Sequence, residues 1–264
     1  MPDALFHPDG DRFVPHELAR GPWSPNALHG GPVAALLART AERMPAPGPM
    51  HPARLNVELM RPVPLSPLTA TARVIRPGKK VQWVEASLLA DGNEVARATL
   101  LRIRTAEVPW PDEVAGGDVT LPMRGPDAAE PIKPAVETGE LPGYHNTATE
   151  HRFVRGKWDV LGPVSDWIRL RHPVVPDEAP SPLQRVAAVA DFGNGVSSAL
   201  PYARYRFINP DLTITLHRLP AGEWVCLDAV TFPEPHGVGI AESVLYDERG
   251  RIGHAAQTLL IETW

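Results

Sequence analysis

An aspartate stands on the apolar face of a helical segment in the second half of this chain. Leu183, Val186, Ala187, Ala190 and Asp191 fall at i, i+3, i+4, i+7 and i+8, the spacing of one helical stripe. A carboxylate buried there without partners is costly, so it is hydrogen-bonded, shifted in pKa or put to chemical use. The plainer reading is a surface aspartate near a frayed helix end. Gln257 breaks a second pattern. Alternation along Ile252 to Ile261 places its amide on the same face as Ala255, Leu259 and Ile261. Such an amide either caps a backbone group in the core or serves a site. The run Phe207-Ile208-Asn209-Pro210-Asp211-Leu212-Thr213 holds the candidates Asn209 and Thr213, although Asn-Pro is also an ordinary turn marker. Finally, His29-Gly30-Gly31 precedes a helix start. Glycines there permit close approach to the backbone, and free N–H groups with the helix dipole favour negative charge. A carbonyl pointed at them has its developing oxyanion stabilised. A plain loop-to-helix turn accounts for the same residues.

The elements that position these residues repeat. Pro32 suits a first helical turn, and Val33, Leu36, Leu37, Thr40 and Met44 form one apolar stripe ending before Pro45. Strand-like runs follow over 54–60, 68–76, 81–90 and 94–105, with Asp91-Gly92-Asn93 as a hairpin turn. The second half enters through strand-like runs over 150–158 and 166–171. Ser181-Pro182 then opens a helix expected to reach Phe192 and stop at Gly193-Asn194-Gly195. Strands follow over 211–217, 223–231, 237–246 and 251–262. Arg61 matches Arg218, Ser87 matches Ser243 and Val95 matches Ile252, at offsets of 157, 156 and 157. A steady offset means two copies of one supersecondary unit. At that offset Gln257 replaces Leu100, and the first helix has no acid in the place of Asp191. The polar residues are therefore confined to one copy.

Each copy reads as one helix followed by a four-stranded antiparallel meander, with an extra strand in front. A helix lying across a curled sheet is a hot-dog module. The fold expected is α+β: a double hot-dog, with two helix-plus-antiparallel-sheet modules forming a continuous sheet and both helices on one side. The modules are expected over 1–108 and 149–264, joined by a Pro/Gly-rich linker over 109–148.

Composition narrows the function classes. A net charge of −5 gives no electrostatic reason to expect nucleic acid. The single cysteine, Cys226, sits in a strand-like run and reads as an inert core residue. No apolar run reaches the 18 residues of a membrane span, and the first residues lack the character of a secretory signal, which makes cytoplasm the expected location. The ten histidines show no metal-ligand spacing, and there is no Gly-x-Ser-x-Gly elbow, phosphate loop or dinucleotide fingerprint. Neither a metal nor a cofactor is expected. The tryptophans read as core and interface anchors.

The constellation resembles the double hot-dog acyl-CoA thioesterases, the acyl-CoA thioesterase II type in particular. The residues that carry the resemblance are Leu28-His29-Gly30-Gly31-Pro32-Val33, Ala190-Asp191-Phe192, Asn209-Pro210-Asp211-Leu212-Thr213 and Ala256-Gln257-Thr258. It covers nearly the whole chain apart from the linker. It implies hydrolysis of an acyl-CoA by direct attack of water, with an Asp, a Gln and a Thr positioning that water. Asp191 and Gln257 match the first two. The Thr position falls on Asn209, a departure that changes the donor and acceptor set. By the same resemblance, Asp191 is the general base, with a pKa set by a half-buried site. Gln257 and Asn209 fix the water, and the Gly31 N–H polarises the carbonyl. His29, Gly30 and Thr213 contact the substrate, and the acyl chain lies between the two helices. Self-association is expected from the exposed sheet edges and helix faces. Two alternatives stand beside this reading: a non-catalytic acyl-CoA-binding module, and an enoyl-CoA hydratase. The second is disfavoured because no histidine follows Asp191 within a few residues.

Overall fold

The computed structural model describes residues 4–111, 124–132 and 141–264. Among the described residues, thirteen strands lie in one antiparallel sheet, and the two longer α-helices pack side by side against it. In the first half, β1 (Phe6–Asp9) and β2 (Arg12–Pro15) precede α1 (Gly30–Glu42). The strands β3 (Met50–Leu59), β4 (Leu68–Arg76), β5 (Val81–Ala90) and β6 (Asn93–Arg104) follow. The second half repeats the plan. It has β7 (Thr149–Arg155), β8 (Val164–Leu170), α2 (Pro182–Ala190) and a short α3 (Gly193–Val196). Then come β9 (Tyr205–Ile208), β10 (Asp211–Leu216), β11 (Val225–Pro233), β12 (Val238–Asp247) and β13 (Gly250–Thr263).

The strand order is β1-β2-β4-β5-β6-β3-β10-β13-β12-β11-β8-β7, with β9 added beside β13. It reads the same from both ends about the β3–β10 pair, so the halves are related by a pseudo-twofold axis. Thr213 pairs with Asn56 across that seam. These two residues are 157 apart, the repeat offset, so each stands opposite its own counterpart. This is the double hot-dog.

Local chemistry explains the better-defined elements. Asp91 and Gly92 have φ of 48° and 77° and form the two-residue turn between β5 and β6. Asp-Gly suits a turn that needs positive φ at both positions. Ser181 caps α2, its hydroxyl accepting from Gln184 N at 3.1 Å, and it donates in turn to Glu42 of α1 at 2.7 Å. Gln184 also donates to Glu42 at 3.1 Å. The end of α1 and the start of α2 are thereby tied together, and the helices run antiparallel.

Several expectations change. The first helix is buried all round over Gly31–Ala38, not along one stripe, because it lies between the sheet and α2. The second helix ends at Ala190, and Gly193-Asn194-Gly195 makes another helical turn instead of a stop. Much of the expected linker, residues 112–123 and 133–140, lies outside the described residues. Its last part is core: Tyr144–Ala148 form a turn of π-helix, and Tyr144 is fully buried with its hydroxyl donating to Ala188 O at 2.8 Å. Cys226 is buried, and burial pushes its thiol pKa upward, so the thiolate is disfavoured. No helix among the described residues is long and apolar enough to cross a membrane.

Candidate active site

The start of α1 is pressed against the end of α2, and the two glycines make this possible. A methyl group at Gly31 would meet Ala188 O at 2.4 Å, and one at Gly30 would meet the Asp191 carboxylate at 2.6 Å. The glycines therefore admit the neighbouring helix and its carboxylate. Asp191 itself is the C-terminal cap of α2, and its side chain is 3% exposed. It sits at the positive end of the α1 dipole, which favours an anion.

The carboxylate is ringed by donors from both halves. Asn209 Nδ2 donates to Oδ1 at 2.8 Å, and Gln257 Nε2 donates to Oδ1 at 3.2 Å and to the Asp191 carbonyl at 3.1 Å. His29 Nδ1 lies 2.8 Å from Oδ2. Burial pushes the Asp191 pKa up. The charge of His29, its hydrogen bond, and those from Asn209 and the Gly31 N–H outweigh it, so the group is held below the ordinary carboxylate value. Asp191 is thus ionised at neutral pH.

The position of one proton follows. His29 Nδ1 is also 3.1 Å from Gly31 N, in a geometry where it could accept that N–H. It cannot accept there while donating to Asp191, because a ring nitrogen carries either a proton or a lone pair. With the carboxylate ionised, the 2.8 Å contact requires the proton on Nδ1. The Gly31 N–H, whose direction the backbone fixes, is also within reach of the carboxylate. Asp191 accordingly accepts four hydrogen bonds, from Asn209, Gln257, His29 and Gly31. His29 Nε2 has no hydrogen-bond partner among the described residues. Its ring packs against both Tyr144 and Phe192, with centroids at 4.9 and 4.8 Å, and those two rings stack on each other at 5.3 Å.

Asp191, Asn209, His29 and Gly30 line a cavity of about 790 Å³. Its walls carry Val33, Leu59, Val63 and Phe207, and three tryptophans, Trp23, Trp158 and Trp264. Tryptophans are expected as core and interface anchors, whereas these three are 38–63% exposed and line the cavity. His145, Asn194 and Tyr202 also line it and were not anticipated. They come from the expected linker, from an expected helix stop and from a connection without periodicity, so no pattern marked them.

The structure thus brings together Asp191, Gln257, Asn209, His29, Gly30 and Gly31. Four expected details change. Thr213 is not at the cavity: Leu212 and Ile214 on either side of it point into the core, so Thr213 faces the opposite side of the sheet. Gly31 is buried, does not line the cavity and gives its N–H to the His29–Asp191 pair, so its expected carbonyl contact is lost. Asp191 is fully rather than half buried, and Gln257 spends its amide on Asp191 and on Asn194 N, whose N–H it accepts at 3.1 Å. A second buried pair, His151 Nδ1 with Asp166 at 2.6 Å, lies behind Phe192 and does not line the cavity.

The two halves of a duplicated hot-dog thus share one carboxylate-centred cavity. Residues 19–103 match the model of the acyl-CoA thioesterase N-terminal domain, and residues 124–261 match that of the C-terminal domain. The chain belongs to the acyl-CoA thioesterase family. Among solved structures, it is similar to an acyl-CoA thioesterase II, TesB2, from Mycobacterium marinum. That match has 15% identity, 97% of this chain and 94% of that chain covered, and a TM-score of 0.67. It is also similar to a tesB protein from Mycobacterium avium subs paratuberculosis, at 15% identity, 97% and 96% coverage, and a TM-score of 0.68. A hot-dog protein from Alicyclobacillus acidocaldarius matches at 18% identity, 97% and 95% coverage, and a TM-score of 0.70. At these identities the likeness shows the fold. None of the curated proteins matches the chain.

Proposed function

We propose that this protein hydrolyses acyl-CoA thioesters by attack of a water molecule, with no covalent acyl-enzyme. The observation that carries this reading is the His29–Asp191 contact across the junction of the two halves. Asp191 fixes the imidazole tautomer, and His29 Nε2 accepts the proton of the attacking water. The ionised carboxylate then stabilises the imidazolium, the role an aspartate plays beside a histidine base elsewhere. Gly30 is the first residue of α1, and its N–H has no intrahelical partner. It lines the cavity and takes over the carbonyl-polarising role expected of Gly31. Asn209 Oδ1 remains to hold the water, because its Nδ2 is engaged with Asp191. The apolar wall receives the acyl chain.

A second reading keeps Asp191 itself as the base, supported by its place on the cavity wall. Its four donors and lowered pKa make it the weaker acceptor. A pH profile separates the two. An aspartate base with a lowered pKa keeps kcat/KM level down to about pH 4, so an acid limb well above that value excludes Asp191 as the base. The test of the function is a panel of acyl-CoA substrates of increasing chain length, read by a thiol-reactive dye. Release of CoA by the wild-type protein, slowed at least ~100-fold in Asp191→Asn, is expected. A panel with no thiol release on any chain length would leave only the binding role.

A further inference from the structure

Behind Phe192 the second half holds a polar network that the proton transfer above does not use. Thr149, His151 and Phe153 share one face of β7, and Asp166 stands opposite Phe153 on the neighbouring strand β8. His151 Nδ1 lies 2.6 Å from Asp166 Oδ2, and Asp166 Oδ1 accepts the Arg152 N–H at 3.0 Å. His151 Nε2 lies 3.0 Å from the Thr149 hydroxyl, which itself donates to the Tyr144 carbonyl at 2.9 Å. None of Thr149, His151 and Asp166 is more than 4% exposed. Their protons can be placed. The single hydroxyl proton of Thr149 goes to a carbonyl, which only accepts, so Oγ1 is left to accept an Nε2–H. One further proton lies between Nδ1 and Asp166, because two acceptors do not meet at 2.6 Å. Whichever atom holds it, the pair carries no net charge. A buried pair of this kind adds little stability over apolar side chains of the same size. A network with every member satisfied is rigid, and that is what it supplies.

That rigidity reaches His29 by two routes. The His151 ring meets Phe192 edge-on, at 4.8 Å and 89°, and Phe192 packs on the His29 ring at 4.8 Å. Thr149 fixes the carbonyl of Tyr144, whose ring stacks on Phe192 with 9° between the planes and packs on His29 at 4.9 Å. The Tyr144 hydroxyl is tied to Ala188 O at 2.8 Å, so the ring is held at both ends. His151, Phe192, His29, Tyr144 and Thr149 therefore form a closed loop of contacts. The hydrogen bond to Asp191 fixes one corner of the His29 ring, at Nδ1, and leaves its plane undetermined. The packing of Phe192 and Tyr144 settles the plane, and interiors this dense leave little slack.

We propose that Thr149, His151 and Asp166 are positioning residues for His29: they hold Phe192 and Tyr144, and these two rings set the direction of His29 Nε2. The proposal rests on the reading of His29 as the base of thioester hydrolysis. The network acts by geometry and not by charge, so Asp166→Asn is tolerated. The new amide oxygen accepts the Arg152 N–H, its NH2 donates to His151 Nδ1, and Nε2–H still meets Thr149. At Asp191 the same exchange is damaging, because it drives a proton from Nδ1 to Nε2 of His29. In His151, Nε2 carries its proton already.

The test uses the full chain with Thr149→Val, Thr149→Ser, Asp166→Leu and Asp166→Asn, on butyryl-, octanoyl- and palmitoyl-CoA, well below every Tm. Thr149→Val and Asp166→Leu are expected to lose roughly tenfold to a hundredfold in kcat, the cost of a misplaced base, with KM within about threefold of wild type. Thr149→Ser keeps the hydroxyl and Asp166→Asn keeps the contacts, so both should stay within about threefold of wild type in kcat, well under 1 kcal/mol of barrier. A purely structural network would lower Tm and leave the kcat of the folded enzyme unchanged. Wild-type kcat in folded Thr149→Val, losses confined to KM, or Asp166→Asn as slow as Asp166→Leu would overturn the proposal. Should the wild type release thiol from none of the three substrates, the hydrolysis reading fails by itself. The ring-nitrogen NMR signal of His29, assigned by its absence in His29→Asn, then decides the network. It should be single in wild type, Thr149→Ser and Asp166→Asn, and broadened or split in Thr149→Val. An unchanged signal in Thr149→Val overturns the positioning role.

Discussion

Replacing Asp191 by asparagine is nearly isosteric, yet the surroundings leave the new amide no good orientation. Asn209 Nδ2 and Gln257 Nε2 both aim N–H groups at Oδ1, so the amide oxygen must stay there. Its NH2 then occupies the place of Oδ2, 2.8 Å from His29 Nδ1. Two donors cannot meet at that distance, so His29 is forced to move its proton to Nε2. The tautomer left behind has no lone pair facing the cavity. The same carboxylate-to-amide change beside a histidine base is known to cost about 10⁴ in kcat through this tautomer error, and loss of a general base alone costs at least ~10². We therefore expect kcat to fall by about 10²–10⁴, or roughly 3–5 kcal/mol of barrier. KM should change little, since neither atom holds the acyl chain. Steady-state thiol release at saturating acyl-CoA reads this directly, with Tm as the control for folding. A variant that keeps kcat within about threefold of wild type, folded and saturable, would refute the proton assignment, since such a loss is well under 1 kcal/mol of barrier.

The remaining predictions concern the frame of the site. Gly31→Ala should lower stability by about 1–3 kcal/mol in urea unfolding, because its methyl group would stand 2.4 Å from Ala188 O; an unchanged midpoint would mean that the helices part freely. Thr213→Val should leave kcat/KM within about twofold of wild type, as a substitution away from the site and the core, and a larger loss would return Thr213 to the substrate path. The folded Asp191 pKa lies below its unfolded value of 3.8, so its stabilising contribution is complete above that value and is lost as pH falls through the folded pKa. Wild type should therefore lose more urea stability than Asp191→Asn between pH 7 and pH 3; equal losses would contradict the lowered pKa.

Much of this was readable from the chain, for identifiable reasons. The runs over 68–76 and 81–90 coincide with β4 and β5, which alternation marks, and the Asp-Gly turn fixes the end of β5. Asp191 and Gln257 were visible as polar residues on apolar faces, which is where the structure has them, buried together. The four-residue strands β1, β2 and β9 are too short to show a period. Thr213 was misjudged although its own strand held the answer, since Leu212 and Ile214 claim the inner face. The glycines were read as space for a ligand, whereas they make space for Ala188 and Asp191, a contact between halves that no local pattern encodes. The same holds for Tyr144 and His145, whose segment is Pro- and Gly-rich and yet packs on α2 through Tyr144 and lines the cavity through His145.

The central claim is that a histidine from the first half and an aspartate from the second act as a single acid–base unit. A kinetic double-mutant cycle with His29→Asn and Asp191→Asn tests it most directly. Groups that work as a unit give a double variant no worse than the more damaged single variant, and that is the result expected here. Losses that multiply would show the two side chains acting independently and would contradict the account.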